Sequence, residues 1–160
     1  MTKSQEAWVA LLGCPRGSAL GGFTALGFDG FDGFTTELPT VVVPHGSDTP
    51  RNPGLRLFCS TMLDDEDVHP LRMPRRVRPQ RGLVDEASWT RNERYARAIV
   101  LAGVQQRIAP TRHLRDALTR RGPCRNRAII VESILDAAGG VQSLPERDFQ
   151  TVWRSRGLPP

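Results

Sequence analysis

The sequence predicts an α+β fold that is mostly helical, with a small β unit near residues 40–69 followed by a helical bundle from about residue 82 to 156. Three observations predict it. "PTVVVPHG" sets three β-branched residues between prolines and closes on a glycine, the pattern of a short buried strand. "LRLFCS" at 55–60 alternates, though imperfectly, as a second strand would. Beyond residue 82, apolar residues recur every three or four positions, and capping and Gly or Pro signals cut the run into helices. At 160 residues the chain is long enough to bury a core.

Taken in order, "SQEAWVALLG" predicts a short helix burying Trp8, Val9, Leu11 and Leu12, stopped by Pro15 and Gly17. "SALGGFTALGFDGF" predicts a small-residue helix with Leu20, Phe23 and Leu26 on one side. Its Gly21–Gly22 pair weakens a helix and implies close packing against a neighbour. "FDGFDGF" is a turn region and "SDTPRNPG" a loop. "GLVDEASW" supplies a helical turn or two.

"TRNE" at 90–93 has the form of a capping box with Thr90 at the N-cap. The helix it opens runs to about Ile108. It is apolar on most sides (Tyr95, Ala98, Ile99, Leu101, Ala102, Val104), which predicts a central position. Pro110 ends it. Thr111 caps the next helix, with Leu114, Ala117 and Leu118 inward, and Gly122–Pro123 breaks that one. "RNRAIIVESILDAAGG" puts Ile130, Ile134 and Ala138 on one face before a Gly139–Gly140 stop. "SLPE" is a second capping box, with Ser143 at the N-cap and Glu146 at N3. Phe149, Val152 and Trp153 form the stripe that follows, and Gly157 ends the helix. If exposed, that stripe is a surface for self-association.

The net charge of +5 permits an anionic partner, but only one of the 22 basic residues, Lys3, is a lysine. Such a skew also follows from a GC-rich coding sequence, so the positions of the arginines inform more than their number. "LRMPRRVRPQRG" holds Arg72, Arg75, Arg76, Arg78 and Arg81 on a segment that Pro74 and Pro79 keep extended. One reading is contact with DNA phosphates, nonspecific in sequence. The other is a solvated connector. No aromatic residue interleaves, so base stacking is not indicated along the run.

"DDED" at 64–67, with His69 nearby, reads either as a divalent-metal site or as a solvated acidic loop. Adjacent carboxylates diverge, which favours the loop. Cys14, Cys59 and Cys124 lie far apart and show no metal-site spacing, as expected of buried thiols in a reducing cytosol. "LLGC" at 11–14 resembles a lipoprotein box, but its apolar run is short and Glu6 stands where a basic region belongs.

The run "RPQRGLVDEASW", then "ARAIVLAGVQQRIAPTRHLRDALTRRG", then "AIIVESILDAAGGVQSLPERDFQTVWRSRGLPP" resembles the central part of an actinobacterial family. "VVVPHG" and "GLRLFCSTMLDDEDVH" fit the same resemblance, which covers roughly residues 7–160. Members look like AbiEi-type antitoxin regulators at the front and carry a nuclease domain related to the very-short-patch-repair endonucleases at the back. The resemblance implies an AbiEi-like region over 1–139, with most of its winged helix missing, and over 140–160 the opening helix of an incomplete nuclease domain. In the family the glutamate of the "S-x-x-E" helix is associated with the nuclease site, and that position here is Glu146. The capping box explains Glu146 completely, and no catalytic residue is expected in this chain. The strands that carry the family's catalytic carboxylates come after the point where this sequence stops.

Composition agrees. Metal-dependent phosphodiester cleavage needs convergent carboxylates and commonly a Lys or His, yet no Asp/Glu-x-Lys can be written here. No P-loop, nucleophile elbow or dinucleotide fingerprint occurs, so no cofactor is expected. The expected function is a non-catalytic, cytoplasmic regulatory or DNA-associated module. An endonuclease fragment needing a missing part, and an interaction remnant with no DNA role, are the alternatives.

Overall fold

A computed structural model describes residues 1–49 and 51–139. Ser143, Glu146, Phe149, Val152 and Trp153 lie outside the described residues. Among those described there are six helices and a small three-stranded mixed sheet, so the fold is α+β and mostly helical.

Helix α1 (Lys3–Leu12) buries Ala7 and Ala10 and packs Leu11, half-buried, against the core, but not the other bulky residues the sequence suggested. Trp8, Val9 and Leu12 are exposed. The reason is close approach: α1 packs on β1 (Ala19–Leu20), where Ala19 is fully buried, and small residues on both sides let the backbones meet. Residues 19–20 are a strand and not the start of a helix. Ala19 pairs with Val42 and Leu20 with Val41, antiparallel.

The Gly21–Gly22 pair then turns the chain from β1 into α2 (Gly22–Phe28). Gly22 has φ +50°, and a Cβ there would lie 2.1 Å from Glu86 Oε1. Thus the pair serves a junction where another helix's carboxylate presses on the backbone, which is what glycine permits.

Strand β2 (Thr40–Pro44) is buried from Thr40 to Val43 and pairs in parallel with β3 (Arg56–Ser60), Val42 opposite Phe58. The arginine run joins this unit. Leu20 N–H donates to the Arg75 carbonyl and Val77 N–H to the Leu20 carbonyl, both at 2.9 Å. On the other side His69 N–H donates to the Arg76 carbonyl at 3.0 Å. Residues 75–78 are therefore held by backbone on two sides.

Helix α3 (Pro79–Trp89) is longer than the turn or two expected, starts on a proline, and is buried at every position from Arg81 to Ser88. It occupies the centre that the sequence assigned to α4 (Glu93–Gln105). Helix α4 buries one face only, Ala96, Ile99, Val100 and Gly103, while Ala98 and Tyr95 are exposed. The error has a physical source: Arg81, Asp85 and Glu86 hide α3's burial from any hydrophobic pattern. Leu83, Val84 and Ala87 of α3 pack with Ile99 and Val100, with Leu114 and Leu118 of α5 (Thr111–Arg121), and with Ile130 and Ile134 of α6 (Arg127–Ala138). Ala138 is exposed.

The cap of α4 also differs. Asn92 is the N-cap, its side chain accepting from Tyr95 N–H at 3.2 Å. Thr90 closes α3, and its hydroxyl accepts from Asn92 N–H at 3.2 Å. Asn92→Ala should cost about 1 kcal/mol in urea unfolding and Thr90→Ala only a few tenths. The reverse order would restore Thr90 as the cap.

Candidate functional site

The five arginines of the extended run divide into two groups. Arg81, in the first turn of α3, is buried. Its Nε donates to Asp85 Oδ2 at 2.8 Å, one helical turn on, and its Nη1 lies 3.2 Å from Asp67 Oδ1. Nη2 donates to Ser60 Oγ at 2.9 Å, and Nη1 also reaches the Met62 carbonyl. Asp85 receives a second guanidinium, Arg121 of α5. Burial pushes the Asp85 carboxyl up, against the pull of Arg81 and Arg121.

The acidic segment belongs to the same network. Arg120 of α5 donates to Asp64 and Asp67 at 2.8 Å each, and to Glu66. The hydrogen bond from Arg120 holds the Asp64 carboxyl below its ordinary range. "DDED" is thus a clamp on α5. Among the described residues no group of three or more His, Cys, Asp or Glu could hold a metal ion.

Arg76 is also internal. Its Nη2 lies 3.0 Å from Asp29 Oδ1, and its guanidinium sits 5.5 Å from the Phe28 ring centroid. Arg72 reaches the same oxygen at 3.0 Å from a side chain that is 53% exposed. Arg75 is exposed and makes no ion pair among the described residues. Arg78 is partly exposed and donates to the Asp65 carbonyl at 3.1 Å. Hence solvent reaches Arg72, Arg75 and Arg78, whereas Arg76 and Arg81 are committed to the interior. Burial first, and then Arg72, Arg78 and Arg76, lower the pKa of His69, which lies beside the run.

Sequence reasoning missed a groove. A cavity of about 600 Å³ is bordered by Lys3 and Glu6 of α1, by Phe28, and by the Gly30–Glu37 loop. A second, about 440 Å³, adjoins it through Phe23, Thr35, Thr36 and Glu37, and continues to Arg56, Trp89 and Tyr95. Phe31 and Phe34 of the "FDGFDGF" turn stack at 5.0 Å and, with Phe23, form its aromatic floor. The repeated Phe-Asp-Gly was the only signal, because the other walls come from distant positions.

Arg56 spans that second cavity's base. Its guanidinium donates to Glu86 Oε1 at 3.1 Å and to the Thr36 and Thr40 hydroxyls at 3.3 and 3.1 Å. Glu86 Oε1 also accepts from Phe23 N–H at 2.9 Å. Of the three thiols Cys59 is exposed, against expectation, while burial pushes the Cys14 thiol up.

Two predictions follow from the network. Arg81→Gln leaves Asp67 and Asp85 short of a charge partner in the interior and should cost about 3–5 kcal/mol, whereas Arg75→Gln should stay within about 0.5 kcal/mol. Comparable small losses in denaturant unfolding would place Arg81 outside the load. For Arg120→Gln we expect a loss that depends on pH. Asp64 titrates below its ordinary value of 3.8 when folded. Its pairing therefore stabilises the fold above that value and fades as pH falls through the lowered one. The melting-temperature gap between wild type and Arg120→Gln should shrink on acidification below about pH 4, and a gap that stays constant would count against the pairing.

Compared with known proteins, the chain matches no family model, no curated protein and no solved structure.

Proposed function

We propose that the chain is a non-catalytic, cytoplasmic regulatory module that associates with DNA through phosphate contacts, the role implied by its resemblance to AbiEi-type regulators. One observation carries this reading: Arg75 and Arg78 lie at the surface of a backbone-anchored segment without an ion pair among the described residues, Arg72 only shares Asp29 with Arg76, and the nearby Asp64, Glu66 and Asp67 are spent on Arg120 and Arg81. Acids that neutralise buried or half-buried arginines leave the exposed ones to an external anion. No helix among the described residues is long and apolar enough to cross a membrane.

The non-catalytic part rests on what the buried carboxylates do. Asp67 and Asp85 each face a guanidinium within the fold, and Glu86, which lines the second cavity, is paired with Arg56. A second reading, an interaction module without nucleic acid, is supported by α1, whose Trp8, Val9 and Leu12 face outward.

Binding to a random-sequence duplex measured against salt tests the first reading. Three phosphate contacts give a slope of log K on log salt of about −2.7, at roughly −0.9 per contact. The combined Arg72→Gln, Arg75→Gln, Arg78→Gln variant should remove about two to three units of slope, with no change in sequence preference and under about 1 kcal/mol of stability lost. A variant that binds as wild type does would make the run a surface connector and favour the second reading.

A further inference from the structure

We propose that the cavity between Phe23, the Thr35–Glu37 segment and Tyr95 receives a single unpaired nucleobase of a nucleic-acid strand. This rests on the DNA-associated reading above but uses a different surface. The walls are aromatic: Phe23 and Tyr95 meet edge to face at 6.4 Å, and Trp89 is fixed flat against Phe58 at 3.6 Å. At about 440 Å³ the space admits a planar ring with part of its sugar.

The polar groups decide the class of ligand. Arg56 lines the cavity and is already neutralised by Glu86, so a free anion gains little net charge there. Its Nε–H, however, has no acceptor among the described residues. Glu37, also in the cavity lining, is exposed and accepts only. A hydrocarbon would leave both unused, and a carboxylate ligand would face Glu37. A neutral ring with donors and acceptors on its edge, set against the aromatic side chains of the lining, satisfies both, and that is a nucleobase.

The surroundings suit the phosphates. Arg91 and Arg94, exposed and without ion pairs among the described residues, are the chain neighbours of the wall residues Thr90 and Tyr95. Arg125, also exposed, donates to the Trp89 carbonyl at 3.4 Å. Glu93 is the one carboxylate in that stretch of chain. Cations beside an aromatic slot form the arrangement by which single strands are held: the backbone is tracked by charge and the base by stacking.

The test uses the full chain with fluorescent oligo-dA and oligo-A eight-mers, and a hairpin duplex as the third probe. The single strands should bind more tightly than the hairpin at equal salt, and the preferred sugar identifies DNA or RNA as the source. Tyr95→Leu should weaken single-strand binding about tenfold, and Tyr95→Phe should restore most of it. Arg91→Gln with Arg94→Gln should reduce the single-strand salt slope by about 1.4, at roughly −0.7 per contact. The Arg72, Arg75, Arg78 variant should leave single-strand binding intact, so the two surfaces fail separately. Thermal melting of each variant excludes unfolding as the cause of a loss. Single-strand binding that survives Tyr95→Leu unchanged, or that is no tighter than hairpin binding, would overturn the proposal.

Discussion

The buried guanidinium of Arg81 is the interaction on which the rest of the structure depends. It joins three parts of the chain that no hydrophobic contact alone would bring into register: the end of β3 through Ser60 and Met62, the acidic loop through Asp67, and α3 through Asp85. Asp67 and Asp85 then each hold a guanidinium of α5, Arg120 and Arg121. The result is a chain of alternating charges from the sheet to the helices. Such a network stabilises less than its Coulomb energy suggests, because every ion has left water. What it confers is register: a slip of any member strands an unpaired charge in the interior, a far larger penalty than a shifted methyl group.

That constraint accounts for the odd construction of α3. A central helix is normally apolar on most sides. Here the centre carries Arg81, Asp85 and Glu86, all buried: Arg81 and Asp85 pair with each other and reach Asp67 and Arg121, and Glu86 pairs with Arg56. Glu86 repeats the device one residue on, accepting from Phe23 N–H at the start of α2 and from Arg56 of β3. Two buried carboxylates one residue apart therefore tie α3 to both neighbouring layers. The helical core of Leu83, Val84 and Ala87 fills the space between them.

Local patterns in the sequence carried the elements that local forces build. "TVVVP" and "LRLFCS" became β2 and β3, and Leu114, Ala117, Leu118, Ile130 and Ile134 are buried as their spacing implied. What escaped was set by distant partners. A two-residue strand such as β1 has no periodicity to read, and exists because Val41 and Val42 pair with it. The outward Trp8 reflects the proximity of β1, which only alanines allow. Thr90 and Asn92 both suit an N-cap, and the choice between them depended on where α3 stops. One sign of the network was legible, since Arg81 and Asp85 are spaced one helical turn apart. It was masked by reading Arg81 as the last member of a surface run. The groove was not legible, because Phe23, Arg56 and Tyr95 are too far apart in sequence to suggest a common cavity.

The division between buried and exposed arginines gives salt a diagnostic role. Ions screen charges across solvent over about 8–10 Å at ordinary ionic strength, but they act far less on pairs inside the protein. The links from Arg76 to Asp29 and from Arg81 to Asp67 and Asp85 lie in the second class, whereas Arg75, Arg91 and Arg94 lie in the first. Folding and any phosphate contact therefore respond to different parts of one arginine-rich sequence. Moderate salt weakens the surface and leaves the interior network standing. An overall positive charge is accordingly a poor guide to this chain, because several of its cations function as core residues and only the remainder are open to solvent.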